Sequence, residues 1–398
     1  MISPLRSVNP QSPQAAYIQG AKGPVTPLSG AVRQPSIPYT HIEAAMTTLK
    51  VMCWNVENLF LPPSGDAPAA EQFQRKLAAL ATVIDQQQPD VLALQEIGPD
   101  GALQALQAAL STSLPHASSG IADGRGIRVA FLSRYPISQQ RDIQPFPALI
   151  KAVQARDPIF DDAETEEDES LTQAMGRGGL EISIDVDGVE VSLLNAHFKS
   201  KLISYARRRP DVPGNRFQPR DEDERYRYAA YALYLRTGEA LTIRDRLNAL
   251  LSGSSSEPNP RQGLGREKAV VFCGDLNDEP QAATTQIIQG PSGSEIGTAG
   301  FRSGDQGDGY RLWNLAPLLN RKSDGEAPLE VPFTRRFKGR GELIDHIFAS
   351  HRLVNPANLP VARTVLATPE LPSVGDSPSE RSQDPASDHA AVVATFTL

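Results

Sequence analysis

The sequence predicts an α/β protein in which two β-sheets pack face to face with helices on their outer sides. Three observations carry that expectation. Short, almost wholly apolar runs such as "LKVMCWN", "PDVLALQE" and "AVVFC" read as strands with both faces buried. Between them lie segments with apolar residues three and four positions apart, the helical spacing. Mid-chain, "LEISIDVDGVEVSLLNAHF" alternates on either side of Asp187-Gly188, which reads as an antiparallel hairpin.

The elements follow in order. "LKVMCWN" opens the fold as a strand, and residues 70–86 form a helix with Phe73, Leu77, Leu80 and Ile84 on its apolar face. "PDVLALQE" is the second strand, "DGALQALQAAL" a helix capped by Asp100, and "RVAFLS" the third strand. The hairpin comes next, with Leu180, Ile182 and Ile184 facing Val189, Val191 and Leu193. Residues 222–250 are a long helix, on which Tyr226, Tyr228, Tyr231 and Tyr234 read as packing residues. The strand 269–273, "ELIDHIFAS" and "AAVVATFTL" complete the chain.

With 40% hydrophobic content, the 398-residue chain can bury a large core. Residues 1–45 carry seven prolines and no periodicity, which suits a disordered leader; Met46 is an alternative start. A single domain is expected over 46–398, with insertions at about 157–175, 199–222 and 251–267. No apolar run approaches 18 residues and no signal peptide is evident, so a cytoplasmic monomer is expected. Cys53 and Cys273 sit in apolar runs and read as buried thiols. The run "DPIFDDAETEEDE" holds eight acids and no base, enough to account for the whole net charge of −8. Residues 199–220 hold seven bases and one acid. The overall acidity is therefore local and does not exclude a polyanionic partner.

Polar residues collect at the strand ends: Asn55, Glu96, His197, Asp275 with Asn277, Asp345 with His346, and Asp388 with His389. In "CGDLNDEP", Gly274 allows a tight turn, and two-residue spacing would send Asp275 and Asn277 to the same side of an extended chain. Alone, the pair reads first as a turn. Together, five or six strands that end in amide, carboxylate or imidazole mark a site.

"CWNVENLF", "VLALQEI", "NAHFKSK", "CGDLNDEP", "LIDHIF" and "SDHAAV" resemble, in order, the motifs of the endonuclease/exonuclease/phosphatase superfamily, over roughly residues 49–398. The resemblance implies a four-layered α/β sandwich of two mixed sheets flanked by helices, and metal-assisted hydrolysis of a phosphate ester. It implies that Asn55 and Glu96 hold Mg²⁺, with Mn²⁺ able to substitute and Asp388 a further carboxylate nearby; hard oxygen ligands suit these ions. Asp275 would position or deprotonate the attacking water, and Asn277 would hold the phosphate or that water. His389 would press on the phosphate, oriented by Asp345. His197 would protonate the leaving oxygen or bind the phosphate.

For Lys199 and Lys201, substrate contact and an ordinary solvated edge stand side by side. Arg207, Arg208 and Arg209 read either as substrate contacts or as partners of the acidic run, and Arg335 and Arg336 as mouth residues. "NAHFKSK" and the arginine-rich helix after it most resemble bacterial nuclease-like members. Leu343-Ile344-Asp345-His346 stands where the inositol phosphatases usually carry Trp-Cys-Asp-Arg. A metal-dependent endonuclease acting on DNA or RNA is therefore expected. A phosphatase or phosphodiesterase for a small metabolite or lipid headgroup is the alternative, and a catalytically dead binding module the remote one.

Overall fold

The structure, a computed structural model, divides the chain into Met1–Ala45 and Met46–Leu398. It describes residues 47–99, 101–155, 170–203, 218–252, 263–290, 309–320, 331–354, 359–367, 371, 373–374 and 386–398. Asp100, Arg207, Arg208, Arg209 and the acidic run lie outside these residues.

Two six-stranded sheets form the centre. The first runs Val361–Val365, Ala391–Thr397, Thr48–Leu59, Val91–Ile97, Arg128–Ser133, His116–Ser119. The second runs Leu312–Asn314, Asp345–Ser350, Ala269–Asp275, Val189–His197, Ala174–Val186, Ile137–Pro145. Both are mixed: Thr48–Leu59 pairs in parallel with Val91–Ile97 and antiparallel with Ala391–Thr397.

Alternation explains the layers. Val51, Cys53, Ala93 and Phe131 of the first sheet meet Ile182, Leu193, Val271, Cys273 and Ile347 of the second. The intervening residues Met52, Trp54, Leu92 and Leu94 face outward, onto Phe73, Leu77, Leu80 and Ile84 of the Ala67–Gln87 helix. Leu194, Val270, Phe272 and Phe348 likewise face Ala240, Ile243 and Leu247 of the Glu222–Leu251 helix. Each of these central strands is covered on both sides, which is why its sequence is continuously apolar. Burying one such side chain contributes about 1.5–3 kcal/mol. Both helices start on an aspartate: the Asp66 carboxylate accepts from Ala69 N and that of Asp221 from Glu224 N.

Between the sheets, within the apolar core, lies a polar tie. Gln95 Nε2 donates to Asn195 Oδ1 at 2.6 Å, and Asn195 Nδ2 donates to the carbonyls of Leu94 and Ala130 at 2.9 and 3.0 Å. Gln95 precedes Glu96, and Asn195 lies two residues before His197, so this tie fixes one strand end relative to another. Cys53 and Cys273 are free buried thiols beside it; burial, then the neighbouring Cys273, push the Cys53 thiol well up. Among the described residues no helix is long and apolar enough to cross a membrane.

Several details differ from the sequence reading. The hairpin's first strand begins at Ala174, inside the insertion expected at 157–175, and Leu171–Thr172 pairs with Val153–Gln154. Gly274 is not a turn residue. It lies within the strand between Ala196 and His346, where an added Cβ would stand 2.0 Å from the Ala196 carbonyl oxygen. The chain turns later, at Asn277, whose φ is 52°.

Candidate active site

Register builds the site. Asp275 is directly opposite Asp345 on one side and His197 on the other, so three adjacent strands of the second sheet present these residues in a row. The first sheet supplies Asn55 and Glu96 from neighbouring parallel strands, and Asp388 and His389 just before Ala391–Thr397. Asn55, His197, Asp275, Asn277, Asp345, Asp388 and His389 are all buried.

Asp275 is the hub. Its Oδ2 accepts from Asn55 Nδ2 at 3.0 Å and lies 3.4 Å from His197 Nε2 and 3.9 Å from His389 Nε2. Its Oδ1 accepts the Asn277 N–H at 2.9 Å. Asp275 and Asn277 are thus gathered by an Asx-type turn rather than by extended-strand alternation, which corrects the spacing argument. The Asn277 amide meanwhile donates to the Phe198 carbonyl at 3.1 Å.

Burial, then the charge of Asp345, push the Asp275 carboxyl above its ordinary value, against His389 and the hydrogen bonds from Asn55 and Asn277. Burial alone would pull His389 down. The Asp345 charge and hydrogen bond, with Asp388 and Asp275, outweigh it and push His389 up to about 10. His389 is therefore an imidazolium, donating Nδ1–H to Asp345 Oδ2 at 2.7 Å. For His197 the balance reverses: burial first, then the charges of Arg177 and His389, hold it well below its ordinary value. Its Nε2 faces Asp275 and, at 3.8 Å, Glu96 Oε1.

The end of the first strand is curled to serve the site. Glu57 and Asn58 take positive φ values of 48° and 51°, aiming their N–H groups at Asn55 Oδ1 and Glu96 Oε2, each at 3.0 Å. Glu96 itself sits at φ 63°. Left-handed backbone at Glu96 and Asn277 costs on the order of 1–3 kcal/mol each, strain of the kind that clusters at functional sites.

The donor set suits a hard divalent cation. Asp275, Asp345 and His389 offer ligand atoms within 4.8 Å of one another, and Asp345 Oδ1 is buried with no hydrogen-bond partner among the described residues. The carboxylates, with the Asn55 and Glu96 side-chain oxygens close by, are hard donors of the kind such an ion takes.

Other sequence-predicted residues fall elsewhere. His346 points away: its Nδ1 accepts from Asn314 Nδ2 at 3.2 Å, its Nε2 donates to the Asp278 carbonyl at 2.9 Å, and burial pushes it down to about 4. Lys199 Nζ is turned onto the carbonyls of Ser200 and Leu202, and burial with the Arg177 charge pulls it down to about 8. Lys201 lies 3.8 Å from Glu342 and 4.0 Å from Asp278. Arg335 and Arg336 take opposite faces of their strand, as neighbours must. Arg335 is bridged to His389, whereas Arg336 donates to the Leu371 carbonyl at 2.9 Å, away from the mouth.

The sequence did not reveal the supports. Ser387 Oγ donates to the Asn55 carbonyl at 2.7 Å and accepts from His389 N at 3.0 Å. Trp54 Nε1 donates to the His389 carbonyl at 2.8 Å. Thr334 Oγ1 accepts the N–H groups of Ile344 and Asp345, both at 3.1 Å. Ser387 and Trp54 stand inside quoted motifs, the one signal that could have found them.

No curated protein matches the chain. Among solved structures, truncated TDP2 of Caenorhabditis elegans is 15% identical, with a TM-score of 0.48 over 88% of this chain and 98% of that one. The human Nocturnin catalytic domain with bound sulfate anion is 16% identical, with a TM-score of 0.47 over 88% of this chain and 94% of that one. A model of the Endonuclease/Exonuclease/phosphatase family matches residues 52–389. The chain belongs to that family of phosphoester hydrolases, whose members generally use divalent metals.

Proposed function

We propose that the protein is a Mg²⁺-dependent phosphodiesterase, able to use Mn²⁺, that cleaves nucleic acid by attack of water on phosphorus. The observation that carries this reading is the Asp275 carboxylate, which meets an amide, a neutral imidazole and an imidazolium at one point. Asn55 and Glu96, with Asp388 nearby, would hold the ion, whose chemistry is to polarise the phosphate and offset its charge.

Asp275 takes the proton of the attacking water; its raised pKa makes it a stronger base than a free aspartate. His389 carries its positive charge against the phosphate and is kept in one tautomer and orientation by Asp345. His197 is neutral, so of its two expected roles, donation of Nε2–H to a phosphate oxygen fits better than proton delivery. Asn277 orients the phosphate or the water.

Support for an anionic substrate comes from the positive charges of Arg177, Arg125 and Lys199 that act on His197, set against Asp123 beside both arginines and the carboxylates of the site.

The test is cleavage of DNA, RNA and a small phosphodiester with and without EDTA. Chelation should abolish activity and Mg²⁺ or Mn²⁺ restore it; full activity in EDTA would overturn the assignment. For a nucleic-acid substrate, log KM should rise with log salt by about 0.7–0.9 per phosphate contacted. A flat profile on DNA together with efficient turnover of the small ester would favour the small-phosphoester alternative.

A further inference from the structure

Two charged residues of the Glu222–Leu251 helix, Arg236 and Glu239, are buried and take no part in the hydrolytic centre. Three positions apart, they lie on one side of the helix. The helix does not depend on them to dock, because Ala240, Ile243 and Leu247 pack on Leu194, Val270 and Phe272. Taking charges out of water is costly, and a buried ion pair is weak evidence for stability. Their role shows in what they hold.

Glu239 uses both oxygens on backbone N–H groups. Oε1 accepts from Gly176 at 3.1 Å and Oε2 from Lys199 at 2.5 Å. Burial pushes its carboxyl up, and those two hydrogen bonds, with the charges of Arg177 and Lys199, act against the push. Arg236 Nη1 donates to the Lys199 carbonyl at 3.0 Å, and its Nε donates to Asp278 Oδ2 at 2.7 Å. Thr284 Oγ1 donates to that same Asp278 oxygen at 2.5 Å, and the Asp278 carbonyl accepts from His346 Nε2 at 2.9 Å.

The Lys199 N–H and the Phe198 carbonyl belong to one planar peptide and point opposite ways. Glu239 draws the N–H toward the helix, so the carbonyl is aimed the other way, where it accepts from Asn277 Nδ2 at 3.1 Å. Asn277 is thus gripped twice: its amide through the Phe198–Lys199 peptide, and its backbone through Asp278, the next residue. Its φ of 52° is a conformation that persists only where the surroundings enforce it. An asparagine amide has a donor branch and an acceptor branch. The bond to Phe198 decides which branch faces the protein and which is left for water or phosphate.

Resting on the hydrolytic reading of the site, we propose that Glu239 and Arg236 are positioning residues that set the orientation of the Asn277 amide. Both act through other residues: Glu239 through one peptide plane, Arg236 through the Lys199 carbonyl and Asp278. Loss of either frees the amide to turn, and a group misplaced by about 1 Å can cost on the order of 10²-fold in rate.

The test is a double-mutant cycle on bis(p-nitrophenyl) phosphate and on DNA in Mg²⁺, with Tm recorded for each variant. Glu239→Gln keeps the shape of the side chain but offers one acceptor oxygen in place of two. It should lower kcat by about tenfold or more. KM and the Mg²⁺ concentration for half-maximal rate should stay within about twofold, since Asn55 and Glu96 come from the other sheet. In an Asn277→Ala background the same change should cost less than about twofold in kcat, because the group it orients is gone. Arg236→Lys keeps the charge but not the forked grip, so it should repeat the pattern at smaller size. It also carries the cycle if Glu239→Gln does not fold. Equal losses in both backgrounds would make the two residues props of the fold alone and overturn the proposal, with the hydrolase reading intact. If Asn277→Ala keeps the wild-type kcat, or neither substrate is cut in Mg²⁺ or Mn²⁺, the reading of the site falls and the proposal with it.

Discussion

His197 and His389 stand within 4 Å of the same Asp275 oxygen, both almost fully buried, yet they are driven to opposite charge states. Burial is the largest influence on each and disfavours the charged form of both. The difference lies at the far ring nitrogen. His389 Nδ1 has the Asp345 carboxylate at 2.7 Å. His197 Nδ1 has no hydrogen-bond partner among the described residues, and the charges that act most strongly on the ring, those of Arg177 and His389, are positive. One carboxylate placed behind the ring thus decides which histidine is a cation and which is a neutral donor.

The comparison breaks most severely when the cation is removed. His389→Ala should lower kcat by about 10²–10⁴-fold, the range for a group acting directly on the reacting phosphate. Asp345→Asn takes away the charge that holds the proton, so it should lower kcat by at least about tenfold at neutral pH. Its alkaline limb should move from near pH 10 down toward the ordinary imidazole range; kcat measured from pH 5 to 10.5 checks both. His197→Gln keeps an N–H donor and should cost less, about tenfold. Its profile should follow wild type through neutral pH, because His197 does not titrate there.

Much of this contrast could be read in the sequence, and the limits have physical causes. Strands covered on both faces declared themselves as apolar runs, and the polar residues at their ends pointed to the site. Ile137–Pro145 did not, because it is an edge strand whose "SQQRD" is exposed and lacks any alternation of apolar residues. The Arg335–Glu342 hairpin was read only as basic, since charged residues around a Lys-Gly turn carry no strand signature. The pairing of His389 with Asp345 was implied by the family resemblance. The charge of His197 did not, because Arg177 reaches it only through the fold. The side chains of Ser387, Trp54 and Thr334 bond to backbone atoms of other residues, and no pattern of side-chain types reveals such contacts.

The two histidines enter from different sheets, so their shared grip on Asp275 depends on how the sheets are locked. The Gln95–Asn195 tie is a buried polar lock between the sheets, behind the reacting groups. Asn195→Leu would leave Gln95 and the carbonyls of Leu94 and Ala130 without this partner, at about 1–3 kcal/mol for each group left unsatisfied. Urea unfolding should show the midpoint fall at an unchanged slope. Gln95→Leu added to Asn195→Leu should recover part of the loss, because an apolar pair of similar shape leaves fewer groups stranded.

The smallest expected effect sharpens the contrast through stability alone, in metal-free protein. His389 has a folded pKa of about 10 against an ordinary value of 6.5, so the folded state binds this proton more tightly than the unfolded state. The stability gained is fully present below about pH 6.5, declines as pH rises, and is lost once pH passes about 10. His197 has the opposite sign: its pKa is depressed, so its contribution is present above about pH 6.5 and is lost on acidification. Wild type should therefore melt a few degrees above Asp345→Asn at pH 6 and 7, with the gap narrowing by pH 9 and closing above pH 10. His197→Gln should show no such narrowing on the alkaline side, and its gap to wild type should shrink only on acidification. A gap for Asp345→Asn that stays constant from pH 6 to 10.5 would mean that the Asp345 charge does not hold the His389 proton.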